Sequence, residues 1–270
     1  MNKYLRTWLL GSNIGWLRDI GTRSVRNTHA KRHAAHQKAT FDLLFPEGGN
    51  ARVLNGPFSG MVYLNESVWG SITPRWIGSY ESWLWPVVEE IIASSYTRII
   101  DVGCAEGYYA VGFARALPGA EVFAYDLDPE SRAQVARLWR LNGQPGKLSI
   151  HGLLDHRELS RLGTPGSLLV CDIEGGEMQL LNPALCSALT QMDILVEVHE
   201  TGSTSVAANA KVLQERFQTS HEAAVIRDVT RATELQHVSH LDTATLKKAT
   251  SEGRPYEQMW LWLKANRSPQ

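Results

Sequence analysis

The chain is poor in cysteine, in long apolar runs and in net charge. Its three cysteines, Cys104, Cys171 and Cys186, form no Cys-x-x-Cys pair and no Cys/His ligand spacing. That argues against a disulfide scaffold and a structural zinc, and makes a reducing cytoplasm the expected compartment. No apolar run approaches the roughly 18 residues that a membrane-spanning helix needs, and the early run Trp8 to Leu10 stops at Gly11-Ser12-Asn13, too short for a secretory signal. The net charge of −1 conceals an uneven split, because residues 1–40 carry eight Lys or Arg against Asp19 alone. That head sums to +7 and leaves −8 on the remaining 230 residues. A basic head suits phosphate, an anionic membrane surface or the acidic body itself. The body shows no basic groove, which argues against nucleic acid and keeps membrane-surface contact by the arm as its outside partner.

What is present suffices for a large core. Hydrophobic residues make up 43% and charged residues 20% of 270, enough for one full α/β domain with elaborations. Residues 1–50 read as a basic arm, helical or partly disordered. Within it His29, His33 and His36 share a helical face, but no carboxylate or cysteine completes a metal set. Residues 51–95 read as a hairpin or lid, with Gly56-Pro57, Gly60 and Pro74 as turn formers, followed by a leading helix over 81–94 that buries Trp83 and its neighbours.

From residue 96 to 265 strands and helices alternate. Strands are expected at 98–102, 121–125, 148–151, 167–171, 193–198, 223–227 and 258–263, with helices at 129–141 and 206–217. Asp128, Pro129 and Asn142-Gly143 mark both ends of the first helix. This alternation predicts a doubly wound α/β fold, a mostly parallel sheet covered on both faces, with the N-terminal helical and hairpin extension packed outside it.

The segment Ile99-Ile100-Asp101-Val102-Gly103-Cys104-Ala105-Glu106-Gly107-Tyr108-Tyr109 joins a strand to a helix through a glycine-bearing turn, the place where such sheets bind nucleotides. The spacing G-x-G-x-x-G is not met, which argues against a pyrophosphate and so against an NAD-type oxidoreductase, the competing enzyme reading. Asp101 and Glu106 would repel phosphate and suit a cation. The sulfonium and ammonium of S-adenosylmethionine have that profile. Asp126, at the end of the next strand, stands where an acid accepts hydrogen bonds from ribose hydroxyls.

With Leu169-Val170-Cys171-Asp172-Ile173-Glu174-Gly175-Gly176-Glu177 and Leu195-Val196-Glu197-Val198-His199, these motifs resemble FkbM-type class I methyltransferases over about residues 52–263. The resemblance implies a Rossmann-like sheet of seven strands with the last one antiparallel, and O-methylation of hydroxyls on sugars and natural products. It implies cofactor contacts at Asp101, Gly103, Cys104, Ala105, Gly107 and Asp126. Leu127 adjoins the last of these, and Leu153 is placed near the adenine. Tyr80 is left as an aromatic that closes over cofactor or substrate.

A neutral hydroxyl is a poor nucleophile until its proton is taken or its pKa lowered. Asp172 ends the fourth strand, and Glu197 and His199 lie two apart on the next, on one face. Two mechanisms follow. Asp172 or His199 is the general base, or Asp172, Glu197 and His199 hold Mg²⁺ or Mn²⁺ against the acceptor oxygen. A third, non-enzymatic reading is a binding module of this fold docked through its basic arm. The acceptor itself, a small molecule or carbohydrate, is written in no local pattern.

Overall fold

The computed structural model of the chain describes residues 36–67, 70–228, 235–238, 241–254 and 258–266. The expectations for residues 1–35, His29 and His33 among them, lie outside the described residues. A helix over 36–44 leads into the body.

Seven strands form one sheet: β1 Arg98–Val102, β2 Glu121–Tyr125, β3 Lys147–His151, β4 Ser167–Cys171, β5 Asp193–Glu197, β6 His221–Arg227 and β7 Met259–Ala265. Their order is β3-β2-β1-β4-β5-β7-β6. Pairing is parallel from β3 through β5, whereas β7 lies antiparallel between β5 and β6. The fold is thus the expected Rossmann-like α/β sheet, with the chain order reversing direction beside β1, where the carboxyl ends of β1 and β4 open a crevice.

The central strands are buried on both faces and read as apolar runs because successive side chains alternate between two cores. Ile99, Leu168, Val170, Leu195, Trp260 and Trp262 enter one core, together with Phe58, Tyr63 and Trp76 from the segment upstream of the sheet. Ile100, Leu169, Cys171, Ile194, Val196, Leu261 and Leu263 enter the other, against Leu213 and Phe217 of the helix Val206–Phe217.

Local signals set several ends. Asp128 caps the helix Pro129–Leu141 by accepting from the N–H groups of Glu130 and Ser131. Asn142, at the other end, also bonds both backbone groups of Val62, at 3.0 and 2.8 Å. Residues 51–63 form a small hairpin with an Arg52–Val62 bridge, and Asn142 extends it as a pairing strand would. The 81–94 helix differs from expectation. A 3₁₀ turn, Ser82–Leu84, precedes an α-helix that starts only at Trp85. Pro86 has no N–H to bond back into a preceding turn, so a single continuous helix is unfavourable. The helix His156–Leu162, capped by Asp155, and the helix Thr243–Ala249, capped by Asp242, have no counterpart among the expected elements. Among the described residues no helix is long and apolar enough to cross a membrane.

Candidate active site

The turn after β1 is built so that only glycine fits where the strands converge. Gly103 has φ +83°, and a Cβ there would lie 1.5 Å from the carbonyl oxygen of Asp172. This close approach brings the end of β4 against the turn. Gly107, at φ +95°, opens the helix Tyr108–Ala116 with no side-chain cap on its first backbone N–H groups. Asp126 braces the turn: its carboxylate accepts from the N–H of Ala105 at 2.9 Å and of Asp128 at 2.8 Å. Each oxygen keeps a second lone pair for a ligand. Leu127, the next residue, and Leu153, two residues past β3, are 39% and 38% exposed, two of six large apolar side chains open to solvent among the described residues.

A cavity at this edge is lined by Arg75, Tyr80, Asp101, Gly103, Cys104, Ala105, Glu106, Tyr108, Tyr109, Val170, Asp172 and Trp260. The structure therefore brings Asp101, the turn residues, Tyr80 and Asp172 to one space. Asp101 is 3% exposed and its Oδ2 has no hydrogen-bond partner. Burial, then the charges of Asp172 and Asp126, push its pKa up to about 8, against the N–H of Ala110, which favours the carboxylate. Glu106 does not present an open charge as the sequence suggested. It is buried, accepts from Ser67 Oγ at 2.8 Å and pairs with Arg75 Nε at 3.3 Å. Cys104 and Cys171 are buried, and desolvation raises both thiols well above their ordinary value, which fits no nucleophilic role.

Farther along the edge stands His199. Its Nδ1 bonds Glu177 Oε1 at 2.9 Å, and the same oxygen accepts the N–H groups of Ile173 and Gly175 at 3.1 Å each. Its Nε2 lies 3.7 Å from Asp172 and 3.8 Å from both Glu174 and Glu197. Burial opposes charge on this ring, but the Glu177 bond and the carboxylates of Asp172 and Glu197 outweigh it and push the pKa up to about 10. His199 therefore carries its proton at neutral pH. Asp172 is raised to about 7, chiefly by burial, with His199 pulling it down and Glu174 and Glu81 pushing it up.

The expected ligand set of Asp172, Glu197 and His199 is not the one that converges. Asp172, Glu174 and His199 bring three ligand atoms within 4.8 Å of one another. Glu197 is 2% exposed and its Oε1 accepts Arg254 Nη1 at 3.0 Å. Glu174 reaches the cluster from a left-handed backbone position, φ +55°, just before Gly175 in the turn.

Sequence reasoning missed Arg254. From the loop before β7 it pairs with Glu81, with Glu197 and, through Nε at 2.8 Å, with Glu252. Burial works against its charge, yet Glu81, Tyr80, Glu197 and Glu252 raise its pKa overall. Its guanidinium lies 5.6 Å from the Tyr80 ring, and that of Arg75 lies 4.2 Å from the same ring. Tyr80 thus has two cations within 6 Å of its ring. No local pattern marks Arg254, because its partners lie far from it in sequence. Trp83 is buried in the core.

No family model and no curated protein matches the chain. Among solved structures it is similar to a human methyltransferase 10 domain containing protein, at 12% identity over 86% of this chain and 96% of that one, TM-score 0.47. It is similar to the O-methyltransferase TomG from Streptomyces achromogenes in complex with SAM, at 12% identity over 68% and 80%, TM-score 0.46. An rRNA methylase from Streptococcus thermophilus aligns at 11% identity over 67% and 95%, TM-score 0.42. Likenesses this remote decide neither chemistry nor acceptor.

Proposed function

We propose that the chain is an S-adenosylmethionine-dependent methyltransferase that acts on a hydroxyl of a small-molecule or carbohydrate-like acceptor. Asp101 carries this reading: a buried carboxylate with an unpartnered oxygen, at the lip of a glycine turn whose surroundings are acidic. A pyrophosphate would meet repulsion there, and an ammonium or sulfonium would meet its counter-charge. Gly103, Cys104, Ala105 and Gly107 would hold the cofactor along the turn, Asp126 its ribose hydroxyls, and Leu127 and Leu153 the adenine. In this reading residues 96–265 are the cofactor-binding domain of a cytoplasmic enzyme, and residues 51–95 form the wall or lid above it. The FkbM-type resemblance belongs to the same proposal.

When bound, the cofactor would supply an electrophilic methyl carbon to the acceptor oxygen, with the thioether of S-adenosylhomocysteine as the leaving group. Asp172 is the base that takes the hydroxyl proton, since its pKa of about 7 matches that task. His199 already holds a proton, and its part is to hold Asp172 in place and stabilise its charge. A second reading is favoured by the convergence of Asp172, Glu174 and His199, which would hold Mg²⁺ or Mn²⁺ as a Lewis acid at the acceptor oxygen. It would require His199 to release its proton to solvent as the metal bound.

Calorimetry of the purified chain with S-adenosylmethionine and S-adenosylhomocysteine tests the main reading. Binding supports it, and no binding at millimolar ligand overturns it. Turnover that persists in chelator selects Asp172 acting alone, whereas turnover lost in chelator and restored by Mg²⁺ or Mn²⁺ selects the metal.

A further inference from the structure

Glu81 is held in a way that its neighbours in sequence do not explain. It is 1% exposed and sits at φ 47° and ψ 41°, a left-handed conformation that residues with side chains keep only where their surroundings enforce it. Three contacts do so. Its backbone N–H donates to Glu252 Oε1 at 2.9 Å, its Oε2 accepts the Tyr109 hydroxyl at 2.5 Å, and its Oε1 pairs with Arg254.

These contacts lead to both sides of the edge. Tyr109 is the second residue of the helix Tyr108–Ala116 and lines the cavity beside the glycine turn. Glu252 and Arg254 belong to the segment before β7 and bond each other at 2.8 Å. Arg254 carries the link on to Glu197, whose Oε1 lies 3.0 Å from its Nη1 and 3.8 Å from His199 Nε2. The same segment is docked upstream, where the carbonyl of Ala249 accepts Thr73 Oγ1 at 2.7 Å.

What fills the cavity bears on this link. Tyr109 and Tyr80, the residue before Glu81, are both cavity walls. The Arg254 side chain is 22% exposed, so water reaches the pair it makes with Glu81. A ligand against the two rings displaces water there, and an ion pair strengthens as its surroundings become less polar.

We propose that Glu81 is a positioning residue that couples the cofactor cavity to residues 246–254 and, through Arg254, to Glu197, so that a ligand in the cavity fastens the acceptor side of the edge. The proposal rests on the proposed function for the identity of that ligand.

Hydrogen exchange read by mass spectrometry on the full chain, with and without S-adenosylhomocysteine, tests it. With ligand, exchange should slow at residues 103–111, which include cavity walls, and by about tenfold at residues 246–254, none of which lines the cavity. Glu81→Gly deletes the carboxylate and suits the left-handed backbone. In that variant the slowing should persist at 103–111 and vanish at 246–254. A merely structural role would instead raise exchange with and without ligand alike.

Wild-type binding by calorimetry without slowing at 246–254 overturns the coupling, and slowing there that survives in Glu81→Gly overturns the role of Glu81. Should that variant fail to fold, Tyr109→Phe cuts the same link at its other end, and undiminished slowing at 246–254 then overturns the role. If S-adenosylhomocysteine does not bind the wild-type chain at all, the proposed function falls and this coupling with it.

Discussion

The two halves of the sheet's carboxyl edge are assembled by different means. On the β1–β2 side the working parts are close in sequence: Asp126 braces Ala105 across 21 residues, and Asp128 caps its own helix. On the β4–β5–β7 side the groups in contact come from opposite ends of the domain, and Arg254 meets Glu81 across 173 residues. The first half is specified by turn geometry and capping. The second is specified by charge matching that exists only once the chain has folded.

The comparison can be broken most severely at Arg254. Its removal as Arg254→Met leaves Glu81 and Glu197, both essentially fully buried, without their shared cation. Breaking a buried pair in this way costs about 3–5 kcal/mol, read by urea unfolding at pH 8. The loss should shrink at pH 5, where Glu197, whose pKa burial holds well above the ordinary carboxylate range, takes a proton. The triple variant Glu81→Gln, Glu197→Gln, Arg254→Met should recover much of it. An Arg254→Met protein as stable as wild type at pH 8 would show that the long-range half is not held by this charge.

The local half is best attacked at Gly103. Gly103→Ala puts a methyl into the Asp172 carbonyl at a positive φ, for about 3 kcal/mol or more of lost stability. Gly175→Ala shares the positive φ, but its nearest contact is 3.4 Å, so about 1 kcal/mol is expected there. Equal costs at the two glycines would refute close approach as the reason for Gly103.

Asp172→Asn separates chemistry from binding. Methyl transfer should fall about 100-fold, while affinity for S-adenosylhomocysteine changes little. A variant with wild-type turnover removes Asp172 as the base.

A further effect is expected on pH dependence through Asp101. Its folded pKa of about 8 lies above the ordinary carboxylate value, so its contribution to stability is fully present below about pH 4 and lost as pH rises through about 8. Thermal melts should therefore show a smaller decline from pH 4 to pH 8 for Asp101→Asn than for wild type. An identical decline would show that Asp101 is not held protonated. The same carboxyl must ionise to receive an ammonium, so cofactor affinity in the wild type should strengthen as pH rises toward 8.

Much of the fold was legible for a plain reason. Strand runs such as Arg98–Val102 and Ser167–Cys171 are apolar and bounded by turn formers, and the helix Pro129–Leu141 carries its cap, its first-turn proline and its Asn142-Gly143 stop within a few residues. The site was legible in part. Asp101, Asp126, Asp172 and His199 stand at strand ends, and strand ends can be read from the chain. Glu174 sat in a quoted motif, yet its place beside Asp172 and His199 depends on a left-handed turn that the motif does not announce.

The sequence by itself determined the order of elements, the glycine turn and the row of acids along one sheet edge, because apolar periodicity, capping and positive-φ positions act over a few residues. Only the tertiary structure decided which acids stay available. It paired Glu106 with Arg75 and Glu197 with Arg254, left an oxygen of Asp101 unpartnered, and set Trp260 on the same cavity. The reason is electrostatic: the state of a buried charge depends on what lies within a few ångströms of it in space, and those neighbours come from distant parts of the chain.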